Sequence, residues 1–215
     1  MILLNNVTIV SVACVRAEQT LKAIKHSMKG IEFNKSILFT NQNIVDDTVE
    51  IVKIDNLDYE GYNKFIVYDL HKYITTDFVL IVQDDGFVIN PQMWRDDFFK
   101  YDYIGAPWPL PSDNFSFRDP FNNIIRVGNG GFSLRTKKIL SLPTSLNVEW
   151  KSYFGFYNED GFFTCHNRHL FEKEGCVYAP LDIAKYFSHE SEIPEIQGIL
   201  PFGFHGKWSK YFTVL

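Results

Sequence analysis

"FVLIVQDDGFVIN", residues 78–90, is an apolar run that halts at two adjacent carboxylates and a glycine and then resumes. A short apolar run of this kind suits a strand buried on both faces. Two readings of its end compete. Asp-Gly between hydrophobic runs is a strong hairpin signal, because such turns call for positive φ and both residues tolerate it. In the other reading, Asp84 and Asp85 hold a cation at the mouth of a sheet. The stretch alone leaves both open.

Its neighbours supply the context. "VTIVSVACV" (7–15) is continuous and β-branched, "KSILFTN" (35–41) is a second buried run, and "VEIVKID" (49–55) alternates like a third strand. Leu21, Ile24 and Met28 recur at helical spacing in "RAEQTLKAIKHSM", as do Phe65, Ile66, Leu70 and Tyr73 over 59–73. Strand, helix, strand, strand, helix, strand predicts an α/β fold with a largely parallel central sheet. Ligands bind outside the carboxyl ends of such strands. Asp84 and Asp85 occupy one of those ends, which favours the cation without removing the turn.

The second half is less periodic. "YIGAPWPLPSDNFSFRDPFNN" (103–123) carries four prolines and several turn formers, and reads as a long structured loop. A glycine-rich stretch follows at 127–135, then a short helix near "TKKILSL", a helix around "NEDGFFTCHNRHLFEKEG", and a tail ending "PFGFHGKWSKYF". No repeat or linker interrupts the 215 residues, so we expect a single domain, with a regular half over 1–100 and a less periodic half over 101–215.

Composition narrows the function classes. A net charge of −5 and the lack of a Lys/Arg run argue against a nucleic-acid binder or a membrane-surface patch. The longest apolar runs fall well short of the ~20 residues a spanning helix needs. "MILLNNVTIVSVACV" lacks a basic leader and reads as a first strand, so no transmembrane segment and a cytoplasmic location are expected. Cys14, Cys165 and Cys176 have no Cys-x-x-Cys spacing, which points to reduced thiols. Twenty Phe, eleven Tyr and four Trp exceed what a core requires and leave rings for a site.

Four stretches carry chemistry, each with a bland alternative. In "QDDG", Asp85 is the preferred metal ligand and Asp84 the second, because a hard cation held by few carboxylates keeps positions for substrate phosphates. Gln83 offers a neutral oxygen or fills the sheet. In "GNGGFSLR" (128–135), glycines around Asn129 let backbone amides approach a ligand, or close a tight loop. In "NEDGFF" (158–163), Glu159 and Asp160 serve as a general base or steady a cationic sugar, or simply favour the start of a helix. In "FGFHGKW", His205 and Lys207 face a cation or phosphate, or are structural. His189 is a rival ligand, while His26, His71, His166 and His169 read as helix-surface residues. Trp94, Trp108 and Trp208 are candidates for stacking on sugar faces or for packing.

Taken in order, "QDDG", "GNGGFSLR", "NEDG" and "FHGKW" resemble the motif order of GT-A glycosyltransferases: an Asp-x-Asp-type metal motif, a glycine-bearing loop, an acidic helix start and a late histidine. Over residues 7 to 207 the chain is similar to GT-A transferases long filed as a domain of unknown function, including domains of chlorovirus proteins that build capsid glycans. The resemblance implies a single catalytic domain, with a nucleotide-binding half over 1–100 and a sugar- and acceptor-side half over 101–215. It implies a metal-dependent enzyme that moves a hexose or deoxyhexose (glucose, galactose or rhamnose, with a tilt to rhamnose) from a UDP-sugar to a glycan acceptor. Mn²⁺ is the implied cation and Mg²⁺ the alternative; a viral source would put the enzyme in the host cytoplasm. It implies that Val12, Ala13, Cys14 and Thr40 frame the base and ribose, that Asn63 and Lys64 lie beside ribose and diphosphate, and that Asp84 flanks the ribose and the metal. It further implies Asp85 and His205 as ligands, Gly130 and Gly131 near the transferred sugar, Trp108 as a pocket wall, and Lys207 at the diphosphate. Gln83 departs from the pattern, which shifts the burden of metal binding to Asp85. Asn63 and Lys64 have an easy alternative as solvated helix residues. The rival classes are a metal-dependent nucleotide-sugar or phosphoester hydrolase and a non-catalytic carbohydrate-binding module.

Overall fold

The structure is a computed structural model and describes residues 1–153, 155–156 and 158–215. Its centre is a six-stranded sheet, built from β1 (Ile2–Val12), β2 (Ile31–Thr40), β3 (Glu50–Lys53), β4 (Phe78–Ile81), β5 (Tyr103–Ile104) and β6 (Ser133–Thr136). The spatial order is β3-β2-β1-β4-β6-β5. The first four strands are parallel, and β6 runs antiparallel to both β4 and β5. This is the α/β architecture expected, with two sheet strands, β5 and β6, that the sequence reading lacked. "GNGGFSLR" was expected as loop, yet its last residues form β6, because three glycines mask a short strand whose apolar alternation is brief.

Successive residues of the central strands alternate between two cores. Ile9, Leu80 and Leu134 face one side, packed by Ile24 of α1 (Ala17–Ser27). Val10, Val79 and Ile81 face the other, packed by Ile66, Leu70 and Ile139. Burial on both faces explains the continuous apolar run of β4 and the buried residues 7–12 of β1, where the hydroxyls of Thr8 and Ser11 are bonded to Thr76 Oγ1 and Val82 O. The helix expected over 59–73 is broken into α2 (Tyr59–Lys64), a π-helical turn (Phe65–Asp69) and a 3₁₀ turn (Leu70–Tyr73). Asp58 caps α2 by accepting the Gly61 N–H at 2.7 Å. After β6 come α3 (Lys137–Ser145), a single turn α4 (Glu159–Gly161), a π-helical turn (Phe162–His166) and α5 (Arg168–Lys173). The sequence showed no sign of α6 (Leu181–Phe187) or of the small pair β7 (Ser188–His189) and β8 (Gly203–Phe204).

Two consequences position the site. The parallel strands all end at one edge, at Val12, Thr40, Lys53 and Ile81. Chain order also reverses between β1 and β4, which opens a crevice between their ends. The turn reading of Asp84–Asp85 holds there. Gln83 N donates to Gly86 O at 2.8 Å and Gly86 N to Gln83 O at 3.1 Å, so the two aspartates form the tip of a tight turn. None of Asp84, Asp85 and Gly86 has positive φ. Glycine at 86 answers to space instead: a Cβ there would stand 2.8 Å from His205 Cδ2 and 3.0 Å from Gly131 O.

Leu80 is fully buried at the sheet centre and Leu110 is exposed. Leu80→Ala should therefore cost about 2–5 kcal/mol in urea unfolding, and Leu110→Ala less than about 0.5.

Candidate active site

Arg135 of β6 is completely buried, and its Nη1 lies 2.5 Å from Glu159 Oε2. An unpaired guanidinium could not stay there. Its remaining contacts are Ser133 Oγ (3.1 Å), Tyr103 Oη (3.2 Å) and the faces of the Tyr103 and Phe163 rings. Burial opposes its charge, but Glu159 outweighs that and raises its pKa. Glu159 is itself 4% exposed, and its backbone N–H donates to Asn63 Oδ1 at 2.7 Å. Glu159 thus ties the acidic turn to the sheet, while the adjacent Asp160 lines a cavity. Asp160 accepts the Gly161 N–H at 2.7 Å. Burial, followed by the nearby Glu159 charge, pushes its pKa up to about 7.

The glycine loop is pressed against these groups. A Cβ on Gly130 would fall 1.6 Å from Glu159 Oε1, and one on Gly131 would fall 2.1 Å from His205 Nε2. A Cβ on Gly128 would enter the Trp108 ring at 1.9 Å. Glycine is required here for close approach. Asn129, between them, has φ of 58° and Nδ2 2.9 Å from His205 Nδ1.

His205 is the hub. Its Nε2 lies 3.2 Å from Gln83 Oε1 and 3.7 Å from Asp85 Oδ1; its Nδ1 lies 3.1 Å from Glu190 Oε1. Burial opposes the imidazolium, but Glu190, then Asp85 and Asp160, outweigh it and raise the pKa. Gln83 is steadied by donating to Tyr62 Oη at 2.7 Å. Among the described residues no three His, Cys, Asp or Glu side chains converge as a metal cage. What the fold offers a cation is one carboxylate oxygen and one imidazole nitrogen, with a neutral amide oxygen beside them. That donor set suits a cation completing its shell with substrate phosphates.

The other predicted residues distribute as follows. Asp84 pairs with Arg16 Nε at 2.8 Å, and none of the contacts around His205 includes it. Arg16 has φ of 59°, so this bridge spans the crevice from a strained backbone position. Val12, Ala13, Cys14 and Thr40 gather at the ends of β1 and β2, where Gln42 donates to Cys14 O at 2.9 Å. Asn63 is buried, with its amide committed to Tyr59 O and Glu159 N. Lys64 is exposed and pairs with Glu60 at 2.6 Å. Neither lines the cavity. Lys207 is exposed. His189, the rival ligand, is buried and bound to Lys185 O at 2.8 Å. His166 is no plain helix-surface residue: it lines the cavity, stacks on Tyr153 at 3.5 Å, and burial lowers its pKa to about 4.

The cavity measures about 460 Å³ and extends from Asp160 and Glu190 between Trp108, Phe117, Tyr153 and Trp208. Trp108 stacks on Phe117 at 4.7 Å, whereas Trp208 is 69% exposed. Trp94 is packing, set edge-on against Phe98, Phe99 and Phe202. Sequence reasoning missed Glu190, Arg16 and Arg135. Arg135 left a trace, as a charge closing the apolar "FSL"; Glu190 left only its adjacency to His189.

A family model described as "Protein of unknown function (DUF5672)" matches residues 48–205. The chain belongs to this family. The match takes in Asp85, the glycine loop, Asp160, Glu190 and His205, and leaves out Val12 to Arg16, Thr40 and Lys207. No curated protein sequence matches the chain. Among solved structures it is similar to a glycosyltransferase involved in glycosylation of the major capsid of PBCV-1 (12% identity, 93% of this chain and 92% of that one, TM-score 0.49). It is also similar to A197 from STIV (14%, 74% and 75%, TM-score 0.38). A third is 4-diphosphocytidyl-2C-methyl-D-erythritol synthase from Anaerococcus prevotii DSM 20548 (12%, 77% and 84%, TM-score 0.41). At these values none of the three bears on activity. No helix among the described residues is long and apolar enough to cross a membrane.

The raised Asp160 pKa has a thermodynamic sign. The folded state holds this proton more tightly than an ordinary carboxyl at 3.8, so the associated stability is full below pH 3.8 and lost as pH rises through about 7. Asp160→Asn removes the loss and keeps the Gly161 acceptor. In metal-free buffer it should stabilise the fold by about 2–4 kcal/mol more at pH 8 than at pH 5. Equal effects at both pH values in denaturant titrations would contradict this.

Proposed function

We propose that this chain is a metal-dependent glycosyltransferase that moves a hexose or deoxyhexose from a UDP-sugar to a hydroxyl of a glycan acceptor. One observation carries the reading. Asp85 and His205 meet at the crevice between β1 and β4, and Glu190, which touches His205, opens with Asp160 into an aromatic-walled cavity. A polar cluster beside a cavity of this size is the arrangement in which a charged leaving group and an apolar-faced sugar are held together.

The residue roles follow from position. Val12, Ala13, Cys14 and Thr40 border the uridine, and Arg16 stands as a cation at the crevice. Asp85 and His205 hold Mn²⁺, or Mg²⁺; an oxygen and an imidazole favour the former. When bound, the ion supplies Lewis-acid neutralisation of the charge growing on the departing diphosphate. Trp108 and Trp208 offer faces to pyranose rings. Asp160 is the base. As the acceptor oxygen bonds to the anomeric carbon, the carbon–phosphate-oxygen bond breaks, its electron pair leaves with UDP, and the acceptor proton passes to Asp160. A carboxyl with a pKa of about 7 is matched to that task near neutral pH. Glu159, bound to Arg135, keeps the turn in place. One displacement at the anomeric carbon inverts its configuration.

A panel of UDP-sugars with Mn²⁺ tests the reading. Asp85→Ala should abolish metal-dependent turnover while keeping the fold by circular dichroism, and Asp160→Asn should lower kcat by about 10²–10⁴-fold with little change in donor KM. Donor consumption that is equally fast without any acceptor would favour a hydrolase and overturn the proposal.

A further inference from the structure

Glu190 belongs to both halves of the site. Its Oε1 lies 3.1 Å from His205 Nδ1 and 2.9 Å from Asn129 Nδ2, and that Nδ2 is in turn 2.9 Å from His205 Nδ1. The Asn129 amide cannot be reversed, because its Oδ1 accepts the Phe132 N–H at 3.2 Å. His205 Nδ1 therefore faces a carboxylate that only accepts and an amide nitrogen that only donates. These two neighbours favour opposite neutral tautomers of the imidazole.

With its proton on Nδ1, the ring donates to Glu190 and leaves the Nε2 lone pair beside Asp85. With its proton on Nε2, the ring accepts from Asn129 and donates to Gln83 Oε1 at 3.2 Å, and Nε2 has no lone pair for a cation. The charge-assisted bond favours Nδ1, because Glu190 Oε1 stands 3.1 Å from it, whereas at Nε2 the Asp85 carboxylate is 3.7 Å away and the nearer acceptor, Gln83 Oε1, is neutral. Among the described residues His205 is also the one ionic partner of Glu190, whose side chain is 13% exposed. Asn129 carries two N–H groups, so its bond to Glu190 persists in either tautomer and holds the carboxylate beside Nδ1.

We propose that Glu190 is a positioning residue: by accepting the Nδ1 proton of His205, it holds the imidazole in the tautomer whose Nε2 ligates a divalent cation together with Asp85. The inference rests on the metal-dependent reading above. Carboxylates that hold the far nitrogen of a metal-bound histidine act in this way, fixing ring orientation and increasing ligand basicity. Glu190 also lines the cavity, so a contact with acceptor is the competing role.

Two measurements separate these roles. Long-range ¹H–¹⁵N NMR, at a pH high enough to neutralise the ring, should show His205 protonated on Nδ1 in the wild type and on Nε2 in Glu190→Ala. Calorimetric titration with Mn²⁺ in the presence of UDP should show affinity falling about 10–100-fold in Glu190→Ala, with part recovered in Glu190→Gln, which keeps an oxygen acceptor. UDP affinity without metal should be unchanged. If the wild type binds no Mn²⁺ with UDP, the metal-dependent reading falls, and this proposal with it. If the wild type binds and Glu190→Ala binds equally well, with the same tautomer or with only acceptor KM raised, this proposal alone is overturned.

Discussion

The site depends on one buried ion pair. Arg135 projects from the antiparallel strand β6 into the interior, where it is fully buried, and Glu159 reaches it from the turn at residues 159–161. Neither charge could stay alone; breaking such a pair typically costs about 3–5 kcal/mol. Together, and joined by Ser133, Tyr103 and Asn63, they fasten an irregular segment to the sheet. Gly130 lies directly on Glu159, and its neighbour Gly131 lies on His205. The position of the ion pair is therefore transmitted through two residues without side chains to the imidazole facing Asp85.

Strain and unfavourable titration collect around this same spot. Arg16 and Asn129 take positive φ without being glycine. A π-helical turn follows Asp160 directly, and another follows α2. Asp160 is kept where burial resists its charge. Each feature costs stability, and Arg16, Asn129 and Asp160 adjoin Asp84, His205 and the cavity. A chain selected for stability alone would have relaxed them.

Legibility followed the physics of each element. The parallel strands were readable because burial on both faces demands continuous apolar runs, and α1 because one face of it meets the core. The end of β4 was readable because carboxylates stop such a run abruptly. Glu159 and Asp160 were equivalent in sequence, and only burial tells them apart: one is neutralised by Arg135, the other opens to the cavity. Asn63 and Lys64 drew attention as a polar pair, but Asn63 serves the interior and Lys64 pairs along its own helix. Glu190 was illegible because its meaning depends on a histidine fifteen residues away on a separate strand end. Short strands such as β5, and β6 behind its glycines, carry too few residues for any period to show.

In the proposed reaction Asp85 and His205 together hold a divalent cation against a uridine diphosphate. Crystals grown with Mn²⁺ and UDP, with diffraction recorded at the manganese absorption edge, test it most directly. One anomalous peak is expected, at bonding distance from Asp85 Oδ1, His205 Nε2 and diphosphate oxygens. A peak remote from both side chains, or bound UDP with no peak beside it, would contradict it.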